Sequence, residues 1–132
     1  LSCRLPGLEQ RSPQPFVLSR TREIPPGSKL ASRRATVLRG SIPEALAYLG
    51  KQGINRLLVE GGARVAHAFL AAGQVDVFHL FRASHEIGPQ GVDALAGLTL
   101  EKALLPFNLL EQEMLGKDQL SVYERREQET SP

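Results

Sequence analysis

Residues 55–80, NRLLVEGGARVAHAFLAAGQVDVFHL, hold an apolar run, an acid, two glycines, a helical pattern and a second apolar run in one short segment. Residues 54–59 are mostly apolar without strict alternation, the pattern of a parallel strand covered on both faces. After Gly61-Gly62, the residues Val65, Ala66, Phe69 and Leu70 recur at helical spacing, and Gly73 closes that stripe. Residues 75–81 are apolar and strand-like again. Strand, helix and strand in about 28 residues predict a βαβ unit with a right-handed crossover.

Glu60-Gly61-Gly62 then falls at the carboxyl end of the first strand, where open α/β sheets bind ligands. Glycines let the backbone approach a ligand without a Cβ in the way. The free amides from Gly62 to about Val65 present partial positive charge to a phosphate, and Arg64 can add a charge-assisted contact. Glu60 does not suit a phosphate, because a carboxylate beside one costs energy; it suits a hydroxyl, an amine or a ring N–H. The residues leave two readings open. In one, Glu60 caps the helix and the glycines only turn the chain. In the other, the turn holds a ligand with both a phosphate and a polar organic part. The turn is shorter than the G-x-G-x-x-G fingerprint, and no acid occupies the fingerprint position about 20 residues on. Asp76 more simply begins the next strand.

Outward from this segment, Ser41-Ile42-Pro43-Glu44 is a capping-box pattern with proline where first-turn amides lack partners. Ile42, Ala45, Leu46 and Leu49 follow at helical spacing, which predicts a helix over 42–51 ended by Gly50 and Gly53. Before it, residues 1–15 read as an extended, proline-containing lead-in, 16–18 as a short strand, the stretch around Pro25-Pro26-Gly27 as a turn, and 35–39 as a second strand. After it, residues 88–91 (GPQG) are a loop and 94–106 are ambiguous. Residues 108–115 and 119–125 flank Gly116-Lys117-Asp118 as a hairpin. The charged tail, 126–132, is expected to be frayed.

Composition sets the outer limits. With 132 residues and 42% hydrophobic content, one domain with a sizeable core is expected. Sixteen basic and fourteen acidic side chains give a formal charge of +2 without a basic face, so nucleic acid is not an expected partner. No apolar run approaches the roughly 18 residues needed to cross a bilayer, and the N-terminus lacks a signal peptide's basic-then-apolar order, so the expected location is cytoplasmic, away from membranes. Cys3 is the one cysteine, and His67, His79 and His85 have no acid or cysteine at ligand spacing, so no metal site is expected. Ser41 and Ser84 lack a nucleophile pattern. The chain opens on Leu1 rather than Met, which suggests a fragment or a processed product.

LSCRLPG at 1–7, INRLLVEGGARVAHAFLAAGQVD at 54–76 and LGKDQLSVYER at 115–125 together resemble the reductase domain of the bacterial riboflavin-biosynthesis protein RibD. The resemblance implies a dihydrofolate-reductase-like α/β fold of three layers, with a mostly parallel central sheet and a C-terminal β-hairpin. It implies a homodimer that uses NADPH to reduce the ribose of 5-amino-6-(5-phosphoribosylamino)uracil to a ribityl chain. The positions matching substrate contacts are Leu1, Arg4 and Glu60. Those matching cofactor contacts are Gly62, Ala63, Arg64, Val65, Ala66, His67 and Ala68, with Arg20 after the first strand. No side chain is assigned a catalytic role, since the cofactor carries the chemistry and the protein supplies position and electrostatics.

The departures from the family pattern also carry expectations. The family's domain begins with a strand, helix and loop ahead of the position of Leu1, and RASHEIG at 82–88 replaces an Ala-Pro-Lys-containing segment. The isolated chain is therefore expected to be impaired in catalysis. Two other readings remain at this stage: a reductase of the same fold acting on another pterin- or pyrimidine-like substrate, and a noncatalytic module that dimerises through its hairpin.

Overall fold

The computed structural model describes residues 2–127. The chain falls into two compact units, Leu1–Asn55 and Arg56–Pro132, described in turn.

The first unit contains a 3-10 turn at Glu9–Arg11, strand β1 (Phe16–Leu18), the short helix α1 (Lys29–Ser32), strand β2 (Thr36–Leu38) and helix α2 (Ile42–Lys51). β1 and β2 pair in parallel, Phe16 opposite Thr36 and Leu18 opposite Leu38. Helix α2 starts where its sequence predicts. The Ser41 hydroxyl accepts from the Glu44 amide, and the Glu44 side chain accepts from the Ser41 amide at 2.7 Å. Ile42, Ala45 and Leu49 are buried along one stripe. Ala45 and Leu49 join Leu38 in a core against which Phe16, Leu18, Leu46 and Ile54 pack. The helix ends beyond Gly50: Gly53 adopts φ +76°, and the Ile54 amide turns back to the Leu49 carbonyl at 3.1 Å.

The second unit contains helix α3 (Ala63–Ala71), strand β3 (Val77–Arg82), helix α4 (Leu100–Leu104) and strands β4 (Phe107–Leu115) and β5 (Asp118–Arg125). The three strands form an antiparallel sheet in the order β3-β5-β4. The hairpin is present where the sequence places it, turning at Gly116 with φ +68°, and a bulge near Leu109/Glu111 offsets the ladder. One face carries Phe78, whose ring lies 6.2 Å from that of Phe107 and 6.4 Å from that of Tyr123. On that face Ser121 is 2% exposed and accepts from Gln112 Nε2 at 3.0 Å. The ambiguous segment resolves into α4, with the Thr99 hydroxyl accepting from the Lys102 amide and Ala103 buried.

Two expectations are corrected. Residues 54–59 form no strand, so the βαβ unit is absent, and the sheets are one parallel pair and one antiparallel trio rather than a mostly parallel central sheet. The apolar run is compatible with a strand, but a strand exists only where a neighbour takes its backbone hydrogen bonds. None does so among the described residues, and Leu57, Leu58 and Val59 are exposed. At the start of the tail, the Arg126 amide donates to the Pro106 carbonyl and its Nε to Asn108 Oδ1 at 3.0 Å. Residues 128–132 of the expected frayed tail lie outside the described residues. No helix among the described residues is long and apolar enough to cross a membrane.

Candidate functional site

The turn and its helix separate the two readings of Glu60-Gly61-Gly62. The N-cap of α3 is Gly62, and no side chain caps it. Glu60 is exposed and makes no hydrogen bond or ion pair among the described residues, so it is not a capping group. The amides of Val65 and Ala66 are both spent on the Gly62 carbonyl, at 2.9 and 3.2 Å. That shortens the expected cradle by one residue, leaving the amides of Gly62, Ala63 and Arg64 as the ones without a backbone partner among the described residues. These are the orphan donors of a helix start, and they carry the positive end of the helix dipole.

The two glycines differ. A Cβ on Gly61 would stand 2.5 Å from the Cβ of Val65 and 2.8 Å from its Cγ1, so this glycine is required by packing within the turn. A Cβ on Gly62 would meet nothing within 4 Å. Its φ of −67° and ψ of 172° are extended backbone that any residue adopts. Neither packing nor conformation asks for glycine at position 62. It faces open space on a shallow cleft of about 400 Å³, lined by Gly62 through Val65 on one side and by Val92, Asp93 and Ala96 on the other.

The second wall is held by its own hydrogen bonds. Asp93 Oδ1 accepts from the Leu95 amide at 2.9 Å and Oδ2 from the Gly97 amide at 2.5 Å. These two bonds, with a smaller contribution from the charge of His67, hold the Asp93 carboxyl below its ordinary range. His67 Nδ1 lies 3.3 Å from the Ala96 carbonyl and donates to it in the Nδ1–H tautomer, linking α3 to the loop. Leu95 is buried, while Ala96 adopts φ +50° and Gly97 φ +89°. Among the described residues no three His, Cys, Asp or Glu side chains are grouped to hold a metal.

The family of the RibD C-terminal domain matches residues 1–120. The chain belongs to that family. Its fold is similar to a Shewanella sp. PV-4 protein named for riboflavin biosynthesis, with TM-score 0.71 and 24% identity over 95% of this chain and 65% of that one. It is similar also to Acinetobacter baumannii RibD in two forms: TM-score 0.70 and 22% identity over 94% of this chain and 42% of that one, and TM-score 0.67 and 23% identity over 87% and 38%. The chain thus spans about two thirds of the first and less than half of the others. No curated protein sequence matches it.

Within this RibD C-terminal domain chain, the positions matched from sequence, Glu60 aside, fall into four sets. Gly62, Ala63, Arg64 and Val65 line the cleft together. Ala66, His67 and Ala68 continue α3 beyond the lining. Arg4 and Arg20 belong to the first unit, both exposed, with the Arg20 carbonyl accepting from Arg39 Nη1 at 2.7 Å. Leu1 lies outside the described residues. Val92, Asp93 and Ala96 escaped the sequence reading. The signal for them was present in Asp93-Ala94-Leu95-Ala96-Gly97, an acid followed by the glycine that a side-chain-to-backbone turn uses.

Proposed function

We propose that this chain is part of an NADPH-dependent reductase of riboflavin biosynthesis, which converts the ribose of 5-amino-6-(5-phosphoribosylamino)uracil to the ribityl chain. The observation that carries the cofactor reading is Gly62, a glycine that neither φ nor packing requires, at the start of a helix whose first amides are unspent. A phosphate at this position meets those amides, the positive end of α3 and the exposed Arg64 guanidinium. NADPH, when bound, supplies the hydride. The residues that hold it are Gly62, Ala63, Arg64 and Val65, and they bind and orient rather than react.

Glu60 is the substrate-side group in this reading. Its carboxylate lies two residues before the amides that suit a phosphate and has no partner among the described residues, so it is placed to accept from a hydroxyl or ring N–H of a pyrimidine ribose-phosphate. Family membership supports the reductase reading over a pterin-directed one. A dihydrofolate-reductase-like layout belongs to the same proposal, because it would enclose the exposed apolar residues Leu57, Leu58 and Val59. So does a homodimer, for which the long outer strand β4 with exposed Leu110 and Met114 offers an unpaired edge.

The test is titration of NADPH with the 132-residue protein, followed by turnover with the phosphoribosylamino-pyrimidine and with a pterin. Saturable NADPH binding, and reduction of the pyrimidine in preference to the pterin by a full-length relative, are expected. Absence of NADPH binding overturns the cofactor assignment.

A further inference from the structure

The geometry points to Asp93 as a positioning residue for the cofactor: it holds the 92–97 loop as the second wall of the cleft, with Val92 and Ala96 as apolar lining opposite the α3 amides. This rests on the cofactor reading above and extends it to residues outside α3 and its cap.

Three observations converge on it. The cleft is two-sided, and its loop side presents the carbon side chains of Val92 and Ala96 to the space in front of Gly62. Val92 is 89% exposed, so it is not part of a core and none of the described residues covers its apolar surface. The loop has neither helix nor strand to shape it; one side chain accepts two of its amides, Leu95 is buried beneath it, and the His67 contact ties it to α3. A nucleotide presents phosphate and ring together. The helix amides suit the first, and an apolar wall across the cleft suits the second.

An acid on an anion-binding cleft needs a reason to be there. Both Asp93 oxygens are turned to Leu95 and Gly97 amides, so its charge is spent within the loop, and across a solvent-filled cleft the remaining repulsion is small and screened by salt. The positioning effect therefore exceeds the repulsive one, and removing the charge is expected to weaken binding.

The experiment is NADPH titration of the unaltered protein, Asp93→Asn and Val92→Ser, at low and high salt, with amide hydrogen exchange on each. Asparagine keeps one acceptor oxygen and loses the other, so the Leu95 and Gly97 amides can no longer both be held. Asp93→Asn is expected to weaken NADPH roughly fivefold, under 1.4 kcal/mol by the tenfold relation, at both salt concentrations. Exchange should quicken at Leu95 and Gly97 while α2 keeps its protection. Val92→Ser is expected to weaken NADPH without altering that exchange.

Unchanged or tighter binding by Asp93→Asn overturns the inference and leaves the cofactor reading standing. Weakening accompanied by loss of protection throughout the chain overturns it also, because Asp93 is then merely structural. If Asp93→Asn does not fold, Val92→Ser decides: weaker binding supports the wall, unchanged binding overturns it. Failure of the unaltered protein to bind NADPH overturns the cofactor reading, and this inference with it.

Discussion

A Cβ built on Gly61 would stand 2.5 Å from the Cβ of Val65, while one built on its neighbour Gly62 would meet nothing. Adjacent glycines of one turn thus differ: packing requires the first, while the second faces open space. Gly61→Ala is expected to destabilise the fold by about 1–3 kcal/mol, because the first turn of α3 must shift to accept the methyl. Gly62→Ala should stay within about 0.5 kcal/mol of the unaltered protein. Thermal or urea unfolding of both variants checks the contrast, and equal destabilisation would refute it.

Gly62→Val separates stability from binding. Its backbone angles accept valine, so folding should change little, but the side chain projects onto the cleft. NADPH affinity is expected to fall about tenfold or more, equivalent to about 1.4 kcal/mol or above. Fluorescence titration of NADPH measures it, and an unchanged dissociation constant would remove the phosphate from this turn.

Glu60→Gln is expected to leave stability within about 0.5 kcal/mol, because the carboxylate has no partner among the described residues to lose. In a full-length relative carrying the matching change, turnover of the pyrimidine should drop while NADPH affinity holds. A larger effect on NADPH than on the pyrimidine would reverse the division of roles.

The capping box gives α2 a pH dependence. Hydrogen bonds from the Ser41 amide and hydroxyl hold the Glu44 carboxyl below its ordinary value of 4.5. Since the folded-state value is the lower one, this contribution is fully present above the unfolded value and is lost as pH falls through the folded one. Below about pH 4.5 the unaltered protein should therefore lose stability more steeply than Glu44→Gln, the two curves converging in acid. Ser41→Ala should cost about 1 kcal/mol at neutral pH. Circular dichroism across an acid titration follows both.

Arg125 ties the sheet to the chain segment ahead of β3. Its Nε donates to the Val75 carbonyl at 2.8 Å and its guanidinium lies 5.5 Å from the Phe107 ring centroid. Arg125→Ala is expected to destabilise by about 1–2 kcal/mol, from one hydrogen bond and one cation–π contact. Lysine keeps the charge without the Nε donor, so Arg125→Lys should recover less than half of that, as measured by denaturant unfolding.

What could be read locally was legible in the residues themselves. Ser41 and Glu44 start α2 because a cap needs only groups three residues apart, the 65–70 stripe gives α3 because its period is internal to the segment, and Gly116 turns the hairpin because its φ is a local matter. The family resemblance rested on the same kind of contiguous pattern, centred on Glu60-Gly61-Gly62. The strand expected at 54–59 failed for the opposite reason. An apolar run shows what a strand could bury, but the ladder belongs to a neighbour, and whether a neighbour supplies it is a long-range fact.

The same division holds in the site. The residues alone showed a glycine pair before a helix and could not say whether Glu60 capped it. Only the tertiary structure separated Gly61 from Gly62, released Glu60 from capping, and brought Val92, Asp93 and Ala96 across from α3, some thirty residues on. The Gly61–Val65 contact closes within one helical turn, whereas the wall from Val92, Asp93 and Ala96 is set by distances between atoms remote in the chain, which no spacing along the sequence encodes.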